Sequence, residues 1–92
     1  MSNQVRILIA DDHSVVRAGL RALLERQDRF HVIAEAGTGE EAIHKAQELR
    51  PDVAVLDVRM PGVSGIEACR QIIASVPGCK VIMLTSYAED EL

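Results

Sequence analysis

Val53-Ala54-Val55-Leu56-Asp57-Val58-Arg59-Met60-Pro61-Gly62 (VAVLDVRMPG, residues 53–62) is the stretch that decides the fold. Four apolar residues in a row predict a strand covered on both faces. The run then meets the carboxylate of Asp57, and Pro61-Gly62 turns the chain soon after. A strand suited to a dry core thus delivers one acidic group to the rim of that core. The turn leaves its head reachable.

Strand and helix patterns alternate on either side of this stretch. Val5 to Ala10, Phe30 to Ala36 and Lys80 to Leu84 are further β-rich runs, with Val53 to Leu56 third in chain order. Val16, Leu20, Leu23 and Leu24 recur at helical spacing after the first run, with Arg17, Arg21 and Arg26 at polar positions. Ala42, Ile43, Ala46 and Leu49 give a second apolar helix face, and Ile66, Cys69, Ile72, Ile73 and Val76 a third. Thr38 with Glu41, and Ser64 with Glu67, form capping boxes that start the second and third helices. Arg50-Pro51 and Pro77-Gly78 end them.

Strand starts near Val5, His31, Val53 and Lys80 recur roughly every 25 residues, the length of one βα unit. The order βαβαβαβ predicts a parallel sheet with right-handed crossovers and helices on both faces. Ser86 and Glu89 form one more capping box, followed by Asp90-Glu91, yet the sequence stops at Leu92. A fifth strand would begin beyond roughly residue 100. The expectation is one domain over residues 1–92, lacking its fifth strand and last helix and cut from a longer protein. Strand four would then lie at a sheet edge with Val81 to Leu84 unpaired on one side, which predicts self-association through that edge.

Composition narrows the classes. A chain of 92 residues holds one domain at most, and 48% apolar residues suffice for a small core. Phe30 and Tyr87 are the only aromatic residues, so that core is aliphatic. A net charge of −4 argues against a non-specific nucleic-acid binder, which would need a basic face. Cys69 and Cys79 lack metal-ligand spacing and are too few for a disulfide scaffold, which predicts reduced thiols in a cytoplasmic protein. The opening residues MSNQVR carry no signal-peptide core, and no window approaches a membrane span.

Three carboxylates fall at strand ends. Asp11 and Asp12 follow the first strand and Asp57 follows the third, while Thr85 and Ser86 follow the fourth. Ligands of an open parallel sheet bind outside the carboxyl ends of its strands, where the strand order reverses. Converging carboxylates repel one another, and a hard divalent cation such as Mg²⁺ relieves the repulsion. A carboxylate beside such a cation can act as a nucleophile toward a phosphoryl group. The Thr85 hydroxyl could then bond a phosphoryl oxygen. Taken singly, Asp11-Asp12 reads as a helix N-cap, Asp57 as an Asx-turn, Thr85-Ser86 as a turn or cap, and His13 as a surface residue at a helix start. The joint placement at three strand ends outweighs these separate readings.

Four segments carry a family resemblance: ILIADDHSVVRAGLRALL at 7–24, IAEAGTGEEAI at 33–43, PDVAVLDVRMPGVSGIEACRQI at 51–72 and VIMLTSYAEDE at 81–91. Together they resemble the receiver domain of bacterial two-component response regulators, above all the NarL/FixJ-like subgroup with helix-turn-helix outputs. The resemblance implies the CheY-like (flavodoxin-like) fold, strand order 2-1-3-4-5. It implies that Asp57 is the phosphoacceptor and that Asp11 and Asp12 bind Mg²⁺ together with Asp57 and the backbone carbonyl of Arg59. Thr85 would be the hydroxyl that turns toward the phosphoryl group, and Pro61 and Gly65 match the loop and helix start after the phosphoacceptor.

The implied function is signalling rather than enzymatic turnover. A sensor histidine kinase phosphorylates Asp57, and a DNA-binding output domain, absent from this chain, responds through dimerisation. The family's strand-five lysine and aromatic switch residue have no counterpart before Leu92. A truncated, non-phosphorylatable interaction fragment of the same fold is the alternative.

Two rival chemistries are weaker. Gly37-Thr38-Gly39-Glu40-Glu41-Ala42 fits G-x-G-x-x-A, but it follows the second strand and sets two glutamates against a pyrophosphate. An aspartate-nucleophile phosphatase would want a second aspartate at position 59, which is Arg59.

Overall fold

The computed structural model describes residues 3–84. Within them the chain runs β1 (Val5–Ala10), α1 (Ser14–Leu24), β2 (Phe30–Ala36), α2 (Gly39–Leu49), β3 (Val53–Asp57), α3 (Gly65–Ser75) and β4 (Lys80–Leu84). The strands form one sheet in the order β2-β1-β3-β4, and every pairing is parallel. The chain steps from β1 to β2, then crosses back over β1 to β3, so the strand order reverses between β1 and β3. That is the topological switch point of an open α/β sheet. The expected fold class is therefore observed. Thr85, the Ser86–Glu89 capping box and the rest of 85–92 lie outside the described residues.

Alternation along the strands sends side chains to two faces. Leu8, Ala10, Ala54 and Leu56 meet Ala42, Ala46, Ala68 and Ile72 on the face covered by α2 and α3. Alanines on both helices let them lie close to the sheet and to each other. On the opposite face Ile7, Ile9, Val32 and Val55 meet Leu20 and Leu24 of α1.

Local devices end each element as the residue types require. Thr38 Oγ1 accepts the Glu41 N–H at 3.1 Å, and Ser64 Oγ accepts the Glu67 N–H at 3.2 Å. The reciprocal halves differ from a full capping box, because Glu41 accepts from the Gly37 N–H and Glu67 pairs with Arg70 and Gln71. Arg50 ends α2 in the left-handed conformation, φ 50°. The guanidinium of Arg6 bonds the orphan carbonyls of Leu49 and Arg50, each at 2.8 Å.

Two helix faces depart from the sequence reading. Ile66 and Ile73 of α3 point outward, 59% and 57% exposed, and the inner stripe is Gly65, Ala68 and Ile72. The cause lies at Gly65, where a Cβ would collide with the Asp57 carbonyl. That close approach puts small residues against the sheet and rotates the isoleucines away. On α1, Val16 and Leu23 are exposed and no residue is fully buried. Only Leu20 and Leu24 reach the core, because among the described residues α1 is the sole helix on its face.

Candidate functional site

β1 and β3 pair Ala10 with Leu56, so the next residues, Asp11 and Asp57, leave the sheet side by side at the switch point. The Asp11 N–H still bonds the Ala36 carbonyl at 3.0 Å, and the Val58 N–H bonds the Leu84 carbonyl at 2.9 Å. Both aspartates are thus held by the last rungs of the ladder. Asp11 and Asp57 are the buried charged residues of the described chain, 4% and 8% exposed. Asp12 sits at the rim.

The chain turns at once into α1. Asp11 Oδ1 accepts the His13 N–H at 2.8 Å, and His13 Nδ1 lies 2.9 Å from both Asp11 Oδ1 and Asp12 Oδ1. Ligating atoms of Asp11, Asp12, His13 and Asp57 all fall within 4.8 Å of one another. His13 is exposed at the start of α1, as the sequence predicts, and its ring also joins the acidic cluster. His13 occupies the N-cap of α1 without a side-chain cap bond, so Asp11-Asp12 is not the cap.

Electrostatics follow from this crowding. Burial, then the charges of Asp11 and Asp12, push the Asp57 carboxyl above its usual range, against the opposing Arg59 N–H at 3.4 Å. The hydrogen bond to Asp11, then the charge of Asp12, raises the His13 imidazole. A divalent cation would offset the repulsion that burdens Asp57, and carboxylate oxygens are the donors such a hard ion takes. The donor set fits.

The loop after Asp57 is pinned from two sides. Met60 is buried, and the Gly65 N–H bonds the Val58 carbonyl at 2.9 Å. The Asp57 head therefore projects from a fixed turn. The G-x-G-x-x-A segment has a packing role instead: a Cβ at Gly39 would collide with the Val63 carbonyl, so that glycine lets α2 approach this loop.

A second set of residues supports Asp11 from behind. Arg17 Nη1 donates to the Asp11 carbonyl at 2.5 Å, and its Nε donates to Glu35 Oε1 at 3.0 Å. Arg21 Nη1 takes the other oxygen, Glu35 Oε2, at 2.9 Å. Arg21 and then Arg17 hold the Glu35 carboxyl below its usual range. In the sequence these arginines read only as polar positions of a helix, and Glu35 stood unremarked in a strand. The available signal was a lone acid on the second strand facing arginines four residues apart on the preceding helix. Thr85 lies outside the described residues.

Residues 7–92 match the model of the response regulator receiver domain. The chain belongs to the response regulator receiver domain family. The response regulator GacA of Pseudomonas viridiflava is 44% identical over 86 residues, which are 94% of this chain and 40% of GacA. DevR/DosR of Mycobacterium tuberculosis, described as a DNA-binding transcriptional activator, is 46% identical over 87 residues, 95% of this chain and 40% of that protein. Among solved structures, the receiver domain of a NarL response regulator from Mycobacterium tuberculosis superposes with a TM-score of 0.84 at 30% identity, covering 89% of this chain and 66% of that one. The chain spans about 40% of the length of the curated relatives it matches. Receiver domains are signalling phosphoacceptors. No helix among the described residues is long and apolar enough to cross a membrane.

Proposed function

We propose that this chain is a phosphoacceptor receiver whose Asp57 takes a phosphoryl group from the phosphohistidine of a sensor histidine kinase. The observation that carries the reading is the convergence of Asp11, Asp12 and Asp57 at the switch point, with ligating atoms within 4.8 Å. Asp11, Asp12, Asp57 and the backbone carbonyl of Arg59 would hold Mg²⁺. When bound, Mg²⁺ neutralises charge on the phosphoryl oxygens during transfer. An Asp57 carboxylate oxygen attacks phosphorus, the bond from phosphorus to the donor imidazole nitrogen breaks, and an acyl phosphate forms. The β3 backbone and the pinned loop hold Asp57 so that little reorganisation accompanies attack. Thr85 would supply the hydroxyl that bonds the phosphoryl group.

Control of DNA would belong to an output domain, as DevR/DosR, a DNA-binding transcriptional activator, supports, and the net charge of −4 here argues against non-specific nucleic-acid binding by this domain. The setting that fits a kinase-fed phosphoacceptor is the cytoplasm. Self-association has separate support: among the described residues β4 is an edge strand, with Ile82 52% exposed. Light scattering across concentrations reads it, and a monomer throughout would refute it.

Incubation with acetyl phosphate and Mg²⁺, followed by intact mass measurement, tests the main reading. The expected result is a gain of one phosphoryl group in the native chain and none in Asp57→Asn. An equal gain in Asp57→Asn, or no gain in the native chain, would contradict it.

A further inference from the structure

The Asp11 peptide is tied on both sides, yet only one tie belongs to the sheet. Its N–H completes the β1–β2 ladder on the Ala36 carbonyl. Its carbonyl lies beyond the last rung and takes the guanidinium of Arg17 instead, at 2.5 Å. Arg17 stands in the second turn of α1, and helical side chains lean toward the N-terminus, which carries its head back over the Asp11-Asp12-His13 turn. The planar fork is then fixed by Glu35, through Nε to Oε1 at 3.0 Å. Glu35 is in turn held on β2, where its backbone carbonyl receives Lys45 Nζ at 2.6 Å.

We propose that Arg17, oriented by Glu35, is a positioning residue for the metal-binding pair: it fixes the Asp11 peptide and so aims Asp11 and Asp12 at Asp57. This rests on the phosphoacceptor reading above. The bond is made to a carbonyl and leaves both Asp11 oxygens to the cluster. An arginine that paired with the carboxylate itself would compete with a cation, and this one does not. The guanidinium thus organises the acidic turn without occupying it. Groups that orient metal ligands from one bond further out commonly matter for affinity although they touch no metal.

Arg21 provides the control. It shares Glu35 with Arg17, through Oε2 at 2.9 Å, but makes no bond to Asp11. Replacing either arginine removes one ion pair to Glu35, and only Arg17 carries the tie to the site. Calorimetric titration of the full chain with Mg²⁺, beside thermal unfolding, separates the two roles. Arg17→Met is expected to weaken Mg²⁺ binding about tenfold, with Arg17→Lys between it and the native chain. Arg21→Met, which also gives up contacts to Glu25 and the Val32 carbonyl, should lower the Tm at least as much and leave the Mg²⁺ affinity within about twofold. Phosphorylation of Arg17→Met by acetyl phosphate should approach the native rate once Mg²⁺ is raised to saturation.

Equal Mg²⁺ affinities in Arg17→Met and Arg21→Met would overturn the inference and leave Asp57 as the phosphoacceptor. So would a rate deficit in Arg17→Met that saturating Mg²⁺ does not relieve. If the native chain binds no Mg²⁺, or binds it as well in Asp57→Asn and Asp12→Asn, the underlying reading falls and the inference falls with it.

Discussion

On the α2/α3 face Leu8, Leu56 and Ile72 are sealed from solvent, whereas on the opposite face α1 buries no residue fully and leans on two arginines sharing Glu35. The energetics differ accordingly. A fully buried leucine or isoleucine contributes about 1.5–3 kcal/mol, while a partly exposed ion pair contributes about 0.2–1 kcal/mol. The packed face is the platform that keeps β1 and β3 in register. The ion pairs of α1 add little stability beside the buried Ile7, Ile9, Val32 and Val55 of that face, and through Arg17 they reach the Asp11 peptide. Stability and aim are thus supplied from different sides of one sheet.

The largest expected effect breaks the packed side. Leu56→Ala should cost about 3 kcal/mol in urea unfolding, because the core cluster it shares with Ala10, Ala68 and Ile72 cannot close the cavity fully. Leu23→Ala on α1, at a side chain 58% exposed, should stay within about 0.5 kcal/mol. Similar losses at the two positions would erase the contrast.

Next in size is the acid dependence of Glu35. Its carboxyl is held below the usual 4.5 by Arg21 and Arg17, so its contribution is present above that value and is lost as the pH falls through the lower, folded value. Glu35→Gln should therefore destabilise at neutral pH by about 1 kcal/mol or less and match the native chain in strong acid. Unfolding midpoints across acidic pH check this.

Asp57 sharpens the comparison because its sign is opposite. Its carboxyl is raised above the usual 3.8, so the folded state favours the protonated form. The cost of ionising it is absent below the unfolded value, grows as the pH rises, and is complete above the folded value. Asp57→Asn should stabilise the metal-free chain at neutral pH, and the gain should vanish in strong acid. A gain that persists at low pH would place the effect in packing instead of charge.

The sheet was legible because its strands are local signals: short apolar runs, each ended by turn chemistry. The site was legible as far as strand ends could place it, since Asp11, Asp12 and Asp57 converge once β1 and β3 are parallel neighbours. The outward turn of Ile66 and Ile73 was not legible. It depends on how closely Gly65 approaches the Asp57 carbonyl, a contact between elements. The same holds for Arg17 and Glu35, which lie 18 residues apart and meet only when α1 folds back on β2. His13 is the exposed helix-start residue the sequence predicts, but one histidine beside two aspartates says nothing of where its ring turns. Thr85 lies beyond the described residues.

The most direct measurement is the unfolding free energy of the native chain and of Asp57→Asn, with and without Mg²⁺ at neutral pH. If the carboxylates form a cation site on Asp57, Mg²⁺ at about a hundred times its Kd should stabilise the native chain by about 2.7 kcal/mol. Asp57→Asn should begin more stable and gain far less. An equal Mg²⁺ gain in both chains, or a mutant less stable than the metal-free native chain, would contradict a charged site centred on Asp57.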